Sequence, residues 1–374
     1  MGTVSLIRCH TYDHDRVRAA VTEAVDALGG FGAYVSAGET VLVKPNMLVG
    51  AAPDKHVSTH PEVVRAVVRG CQAVGAEVWV GDSPGFGDPA RVAERCGIMD
   101  VCRETGARFT PLSEPVVTSY PAGRSVKSFA LARPVVEAHR VISVAKFKTH
   151  GLMLYTGAVK NLYGCVAGLE KVRMHMTYQS PARFAAMLID LYGAVSPDLS
   201  IVDAVIGMEG AGPRSGDPRP LGLIMAGADG FDVDLAATAV MGVAPEQVPL
   251  LAAREKTDRA AMLPELLNVL GVPLAEARVE GFRIPPHLHA TNLPKWAEDF
   301  GRRWTTAKPV VIPDLCVACG ICRDACPAGA IRIEDKRAWI DDEKCIRCYC
   351  CQEMCPQAAI KLRRNFLSRL LPWR

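Results

Sequence analysis

The residues with the plainest chemical meaning lie near the C-terminal end. Cys316, Cys319, Cys322 and Cys326 precede Pro327, and Cys345, Cys348, Cys351 and Cys355 precede Pro356. Both runs read C-x2-C-x2-C-x3-C-P. Thiolates at i, i+3 and i+6 can wrap one iron–sulfur cube, while the fourth, held before proline, reaches a second. The expectation is that Cys316, Cys319, Cys322 and Cys355 hold one [4Fe-4S] cluster, and Cys345, Cys348, Cys351 and Cys326 another. Zinc sites use paired C-x2-C knuckles instead, and disulfide frameworks belong to short secreted domains. The halves align as a repeat, CVACGICRDACPAGAI against CIRCYCCQEMCPQAAI. Cys350 falls outside the spacing and reads as a bystander.

A second set of candidates follows apolar runs. Val41–Val43 leads into Lys44 and Asn46, 77–80 into Asp82, and 141–145 into Lys146, Lys148 and His150. The run 199–202 leads to Asp203 and Glu209, and 221–225 to Asp229 and Asp232. In an open parallel sheet, ligands bind beyond the carboxyl ends of the strands. Five such ends delivering polar side chains predict a site at one rim. Residues 144–175 add Lys160, Asn161, Lys171 and His175, punctuated by Gly151, Gly157, Gly164 and Gly168. The cations suit an anionic carboxylate or phosphate, and the glycines suit close backbone approach to a ligand. Lys146, Lys148, His150 and His175 are the candidate catalytic groups, since lysine and histidine can move protons near neutrality. Lys44, Asn46, Asp82, Lys160, Asn161, Asp203 and Glu209 are the candidate substrate-binding groups. A basic docking face is the competing reading of the lysines. Asp82, Asp203, Glu209 and Asp232 could instead hold a hard metal, although acidic groups at strand ends also cap helices.

The elements that position these groups alternate. Strands are expected at 3–9, 40–46, 77–82, 140–146, 199–204 and 221–226. Helices are expected at 14–29, from Pro61 to Gly75, and at 89–104, 181–194 and 232–242, by apolar spacing and stop signals. This order predicts an α/β fold with a largely parallel sheet flanked by helices, plus a small α+β two-cluster domain at the C-terminus. Residues 246–300 fit no place in that plan, and 301–312 read as the connection to the cysteine-rich module. The expected division is 1–300, 313–363 and a basic amphipathic tail at 364–374, which could touch anionic lipid or pack back.

Composition narrows the classes. The 374 residues are 49% hydrophobic with net charge +3, too weakly basic for a nucleic-acid protein. No apolar run is long enough for a transmembrane helix. Fourteen cysteines without a signal peptide imply a cytoplasmic protein. Cys9, Cys71, Cys96, Cys102 and Cys165 read as buried inert thiols. Neither G-x-G-x-x-G after a strand nor a Walker A run is present, which leaves a nicotinamide or ATP site unsupported and a flavin possible but without a residue pattern to argue it.

Several stretches carry a resemblance: VLVKPN (41–46), THPEVVRAVV (59–68), GDSPG (81–85), KFKTHGLMLYTGAVKNLYGCVAG (146–168) and MEGAGPRSG (208–216). In these the chain resembles the iron–sulfur proteins of domain-of-unknown-function family 362, and residues 313–363 are similar to bacterial 2[4Fe-4S] ferredoxins. The resemblance implies architecture and cofactor but no reaction. The leading expectation is an iron–sulfur reductase acting on a small anionic organic substrate, with an external protein as electron donor or acceptor. The alternatives are an electron-transfer or adaptor protein serving a partner enzyme, and a cofactor-maturation protein.

Overall fold

The computed structural model describes residues 2–168, 170–255, 262–285 and 307–363. The main sheet contains β1 (Thr3–Arg8), β2 (Thr40–Pro45), β3 (Glu77–Val80) and β4 (Arg108–Phe109). A separate hairpin follows, β5 (Pro115–Ser119) with β6 (Ser128–Ala132). The main sheet resumes with β7 (Arg140–His150), β8 (Leu154–Thr156), β9 (Leu199–Glu209), β10 (Asp217–Gly227) and β11 (Asn268–Gly271). Its order is β11-β1-β10-β9-β7-β2-β3-β4, with β8 on β7. The block β9-β7-β2-β3-β4 is parallel, as is β1 with β11. The fold is therefore a mainly parallel mixed sheet flanked by helices.

Each face of the sheet buries one apolar layer. Helices His14–Asp26, Pro61–Val74, Pro89–Arg95 and Ile98–Thr105 cover Val41, Val43, Ile142, Val144 and Ile201. Helices Pro181–Val195 and Gly230–Met241 cover Leu42, Val141, Ala145 and Val202. Asp13 accepts Arg16 N–H at the start of the first helix, whose Val17, Ala20, Val21, Ala24 and Val25 form the inward stripe. The single helix expected over 89–104 is two helices, because Gly97 takes φ 76° and breaks the ladder. Within the segment the sequence could not place, helix Pro249–Glu255 packs on helix Pro181–Val195, and β11 extends the sheet edge.

The expected rim needs one correction. β10 runs antiparallel to both β9 and β1. Asp229 and Asp232, which follow β10, therefore lie at the opposite end of the sheet from Lys44, Asp82 and His150. Both β7 and β9 also run eleven residues, past the charged residues expected to end them. Lys146 and Asp203 are cross-strand partners inside the sheet.

The cysteine-rich module has two small sheets, β12 (Lys308–Val311) with β15 (Ile360–Arg363), and β13 (Ile331–Glu334) with β14 (Arg337–Ile340). The expected tail, 364–374, lies outside the described residues, as does the first half of the connection, 301–306. Val49, Val57 and Met208 of the α/β part form one buried cluster with Met354 of the module, and Ile321 packs on it. Arg214 donates to the Met354 carbonyl, and Ser215 Oγ donates to Cys355 O at 2.8 Å.

Candidate functional site

The module's repeat is visible in its backbone. Ala318 and Arg347, Gly320 and Tyr349, and Gly329 and Ala358 are equivalent positions, and all six have positive φ between 50° and 79°. These turns let each loop fold around its cysteines. One void of about 340 Å³ is lined by Cys316, Cys319, Cys322 and Cys355. Another, of about 310 Å³, is lined by Cys326, Cys345, Cys348 and Cys351. Ala338 N donates to Cys316 Sγ, Ala330 N to Cys326 Sγ and Ala359 N to Cys355 Sγ, at 3.2–3.4 Å. Four sulfurs around a void, some already accepting backbone N–H, make a donor set suited to an iron–sulfur cluster. Among the described residues no three His, Cys, Asp or Glu side chains converge on a single-ion site.

The polar residues of the rim separate into two groups by the partners they hold. Lys146 shares its face with Ile142 and Val144. There its ammonium meets Asp203 Oδ2 at 2.8 Å and Tyr12 Oη at 2.6 Å. Tyr12 Oη donates to Asp203 Oδ1 at 2.8 Å, and the His60 N–H donates to Asp203 Oδ2 at 2.9 Å. The Tyr12 ring stacks on His60 with centroids 3.7 Å apart. This cluster is closed by its own members. Glu209 stands elsewhere, holding Arg283 Nε at 2.8 Å.

The other group faces the module. Lys44, fully buried, pairs with Asp82 Oδ1 at 2.8 Å and donates to Asn161 Oδ1 at 3.1 Å. Asn161 Nδ2 returns bonds to Lys44 O and Ser143 Oγ at 3.1 and 3.0 Å. Asp82 Oδ2 accepts Met47 N–H at 2.8 Å. A Cβ at Gly164 would lie 2.0 Å from Asp82 Oδ1 and 2.7 Å from Lys44 Nζ. That glycine therefore makes room for a protein ion pair rather than for a ligand. Lys148 Nζ bonds Asn46 Oδ1 and Val57 O, each at 2.7 Å, and Lys171 bonds the Ser83 carbonyl. Burial lowers the pKa of Lys148 and Lys160 and pushes Lys171 down to about 8.

His150 is held in one tautomer. Its Nδ1 accepts Leu152 and Met153 N–H at 3.1 and 3.2 Å, which leaves the proton on Nε2. That Nε2 lies 3.1 Å from Glu353 Oε1, a residue of the module. The two approach at ion-pair distance but outside hydrogen-bond alignment. Burial holds His150 below the usual histidine range, so the ring is neutral at pH 7. Burial would raise Glu353, but the cations around it win, and it is brought down to about 2 by His150, Lys160 and His175. Of these we assign the main role at neutral pH to Lys160, since the buried imidazole is uncharged there. His175 stacks on Phe184 at 4.9 Å and meets Tyr163 edge-on at 5.4 Å. Burial pushes it down to about 4.

Glu353 is the site residue that the sequence reading missed, and it shares a short helix with Cys350, which that reading set aside as a bystander. Both sit on helix Cys350–Met354, between ligand positions of the second cysteine run. Cys350 lies beside Cys348, and that neighbour together with burial pushes its thiol up. The void lined by Cys348 and Cys351 thus adjoins the buried lysine–histidine cluster through one short helix. Lys44 has Asp82 as its partner, while Lys148 and Lys171 donate to carbonyl and amide oxygens.

Residues 41–239 match the family model described as Domain of unknown function (DUF362). The chain belongs to DUF362. Residues 308–356 of this DUF362 protein match the 4Fe-4S dicluster domain, so it is an iron–sulfur protein with a redox or electron-transfer role. It is 36% identical over 290 residues to the thylakoid-associated protein sll1697 of Synechocystis sp., covering 76% of this chain and 88% of that one. Among solved structures it is similar to the lactate racemase apoprotein of Thermoanaerobacterium thermosaccharolyticum. That match has a TM-score of 0.44 and 11% identity, over 65% of this chain and 58% of that one. A Thermotoga maritima protein gives 0.41 and 11%, over 70% and 61%. The DUF362 chain thus spans less than two thirds of either solved chain. Among the described residues no helix is long and apolar enough to cross a membrane.

Proposed function

We propose that this protein is a cytoplasmic reductase of a small anionic organic substrate, fed by two [4Fe-4S] clusters, one in each cysteine-lined void. The observation that carries the reading is the contact of Glu353 with His150, which sets the lysine–histidine cluster against the helix that bears Cys351. A bound cluster supplies electrons one at a time. The chain's own residues do the rest. Lys148, Lys160 and Lys171 attract and orient the anion. Lys44, fixed by Asp82 and Asn161, supplies a rigid wall. His150 Nε2 carries the proton nearest the module, and Lys171, with its pKa near 8, can exchange one near neutrality. The apolar packing of Tyr163, His175 and Phe184 excludes water from one side.

The test is anaerobic. Protein reduced by dithionite and freed of excess reductant is mixed with a panel of carboxylates and phosphate esters, and cluster absorbance is followed. A substrate restores the oxidised spectrum, and Lys148→Met and Lys160→Met slow that step at least tenfold while iron content stays constant. If no anion reoxidises the clusters and the variants match the parent, the reductase reading fails.

Delivery of electrons to an external partner is the second reading. It is favoured by Leu315 and Val317, which flank Cys316 and are 44% and 61% exposed. Exposed apolar residues beside a cysteine-lined void suit transient docking of a redox protein. The name of the Synechocystis relative points that protein to a thylakoid, and a membrane-proximal partner would fit this second reading.

A further inference from the structure

A cavity lies at the seam between the two parts, away from the buried lysines. It encloses about 670 Å³, its mouth included, and its walls include Arg91, Arg95, Arg214, Phe86, Val49 and Ile321. Its chemistry is unlike that of an ordinary surface cleft. Arg91 and Arg95 stand four residues apart on helix Pro89–Arg95, so they share one face. Arg214 enters from the loop between β9 and β10 and donates to the Met354 carbonyl, not to a carboxylate. The acidic group at the cavity, Asp88, is spent on the helix start, where Oδ1 accepts Arg91 N–H at 3.0 Å. Among the described residues, Arg91, Arg95 and Arg214 thus line one cavity against one engaged carboxylate. Like charges held together without counter-charge repel.

We propose that this cavity binds a small molecule bearing a phosphate or carboxylate group, with an apolar body seated against Phe86, Val49 and Ile321. Guanidinium forks match such oxyanions with paired N–H donors. The backbone leaves room for it: a Cβ at Gly50 would come 2.8 Å from Arg95 Cδ, so an alanine there would shift Arg95 along this wall. The site also has a route to the iron–sulfur module. Arg214 is close enough to Cys319 and Cys355 for their charges to act on it, and both cysteines line the first void. Reduction adds negative charge there, and Arg214 favours it. An anion on Arg214 cancels that help, so ligand binding lowers the reduction potential of a cluster in that void.

Calorimetric titration of the anaerobic, iron-loaded protein at fixed ionic strength tests the site, with inorganic phosphate and citrate as separate probes. At least one probe binds with 1:1 stoichiometry. The double variant Arg91→Gln/Arg95→Gln weakens that binding tenfold or more, Gly50→Ala weakens it by displacing Arg95, and Lys148→Met/Lys160→Met leaves it unchanged. The phosphate and citrate arms tell which head group is preferred. A redox titration with the tighter probe shows the cluster in the void of Cys319 and Cys355 becoming harder to reduce in the parent and not in the arginine variant. The proposal is overturned if neither probe binds, if the arginine variants bind as the parent does, or if binding disappears only in the lysine variants. In the last case the buried lysines are the anion site, and the reductase reading survives this failure.

Discussion

His150 Nε2 and Glu353 Oε1 face each other at 3.1 Å across the seam between the α/β sheet and the cysteine-rich module. One belongs to the last residue of a long parallel strand, the other to a one-turn helix between two cysteine ligand positions. The pair joins the two parts chemically as well as by packing.

Their coupling is measurable. A double-mutant cycle with His150→Ala and Glu353→Ala, read by denaturant midpoints, should give an interaction energy of about 1–3 kcal/mol, as contacting buried residues do. A value near zero would mean that the seam is held by Met354, Arg214 and Ser215 alone.

Lys44 and Asp82 form a buried pair in which neither charge can reach water. Removing one partner strands the other, so Lys44→Met should cost about 3–5 kcal/mol. Lys44→Met/Asp82→Leu should recover most of that loss. If the single variant is as stable as the parent, water or another group reaches Asp82, and the lysine–histidine cluster is softer than described.

The cysteines separate by role. Cys326→Ala and Cys351→Ala should each lose about half of the bound iron, because both line the same void. Cys350→Ala should keep the full complement. Loss of iron from the Cys350 variant would make that residue a ligand and displace Cys351 from the assignment.

His60 supplies a pH dependence. Burial pushes it down to about 4, with Asp203 opposing and Lys146 reinforcing the change. The folded-state pKa lies below the ordinary 6.5, so the unfolded chain binds the proton first. The contribution of His60 is complete above pH 6.5 and is lost as pH falls through 4. By pH 5 the loss is about 2 kcal/mol. His60 Nδ1 also accepts Glu62 N–H at 3.2 Å, a cap that protonation removes. His60→Asn, which keeps a capping oxygen, should flatten the fall in urea midpoint between pH 7.5 and 5. An unchanged slope would assign the acid sensitivity to other groups.

Much of the cysteine module was legible because its chemistry fixes its spacing. The predicted sets of four cysteines are those that line the two voids, and the internal repeat reappears as matched left-handed turns. The strands β2, β3, β7 and β9 were legible as apolar runs. Their full lengths were not, because Lys146 and Asp203 look like strand ends until each is seen to neutralise the other within the sheet. The direction of β10 was hidden, since an apolar run carries no sign of which way it enters a sheet. Glu353 was hidden for another reason. It occupies a position that the cysteine spacing leaves unspecified, and only the docking of helix Cys350–Met354 gives it His150 as a partner. Lys146 and Lys148 looked equivalent in sequence, yet the first is enclosed with Asp203 and Tyr12, and the second reaches Asn46 in the lysine–histidine cluster.

β12 and β15 begin and end the described part of the cysteine-rich module, and they lie side by side, with Lys308 opposite Arg363. The module therefore enters and leaves through one doorway. A unit with adjoining ends behaves as a cassette: it can be cut out, transplanted or closed on itself without stretching the chain that carries it. What binds it to this particular host is the surface around Met354 and Glu353, so that surface, rather than the cysteine loops, is where an exchange of modules between relatives would succeed or fail.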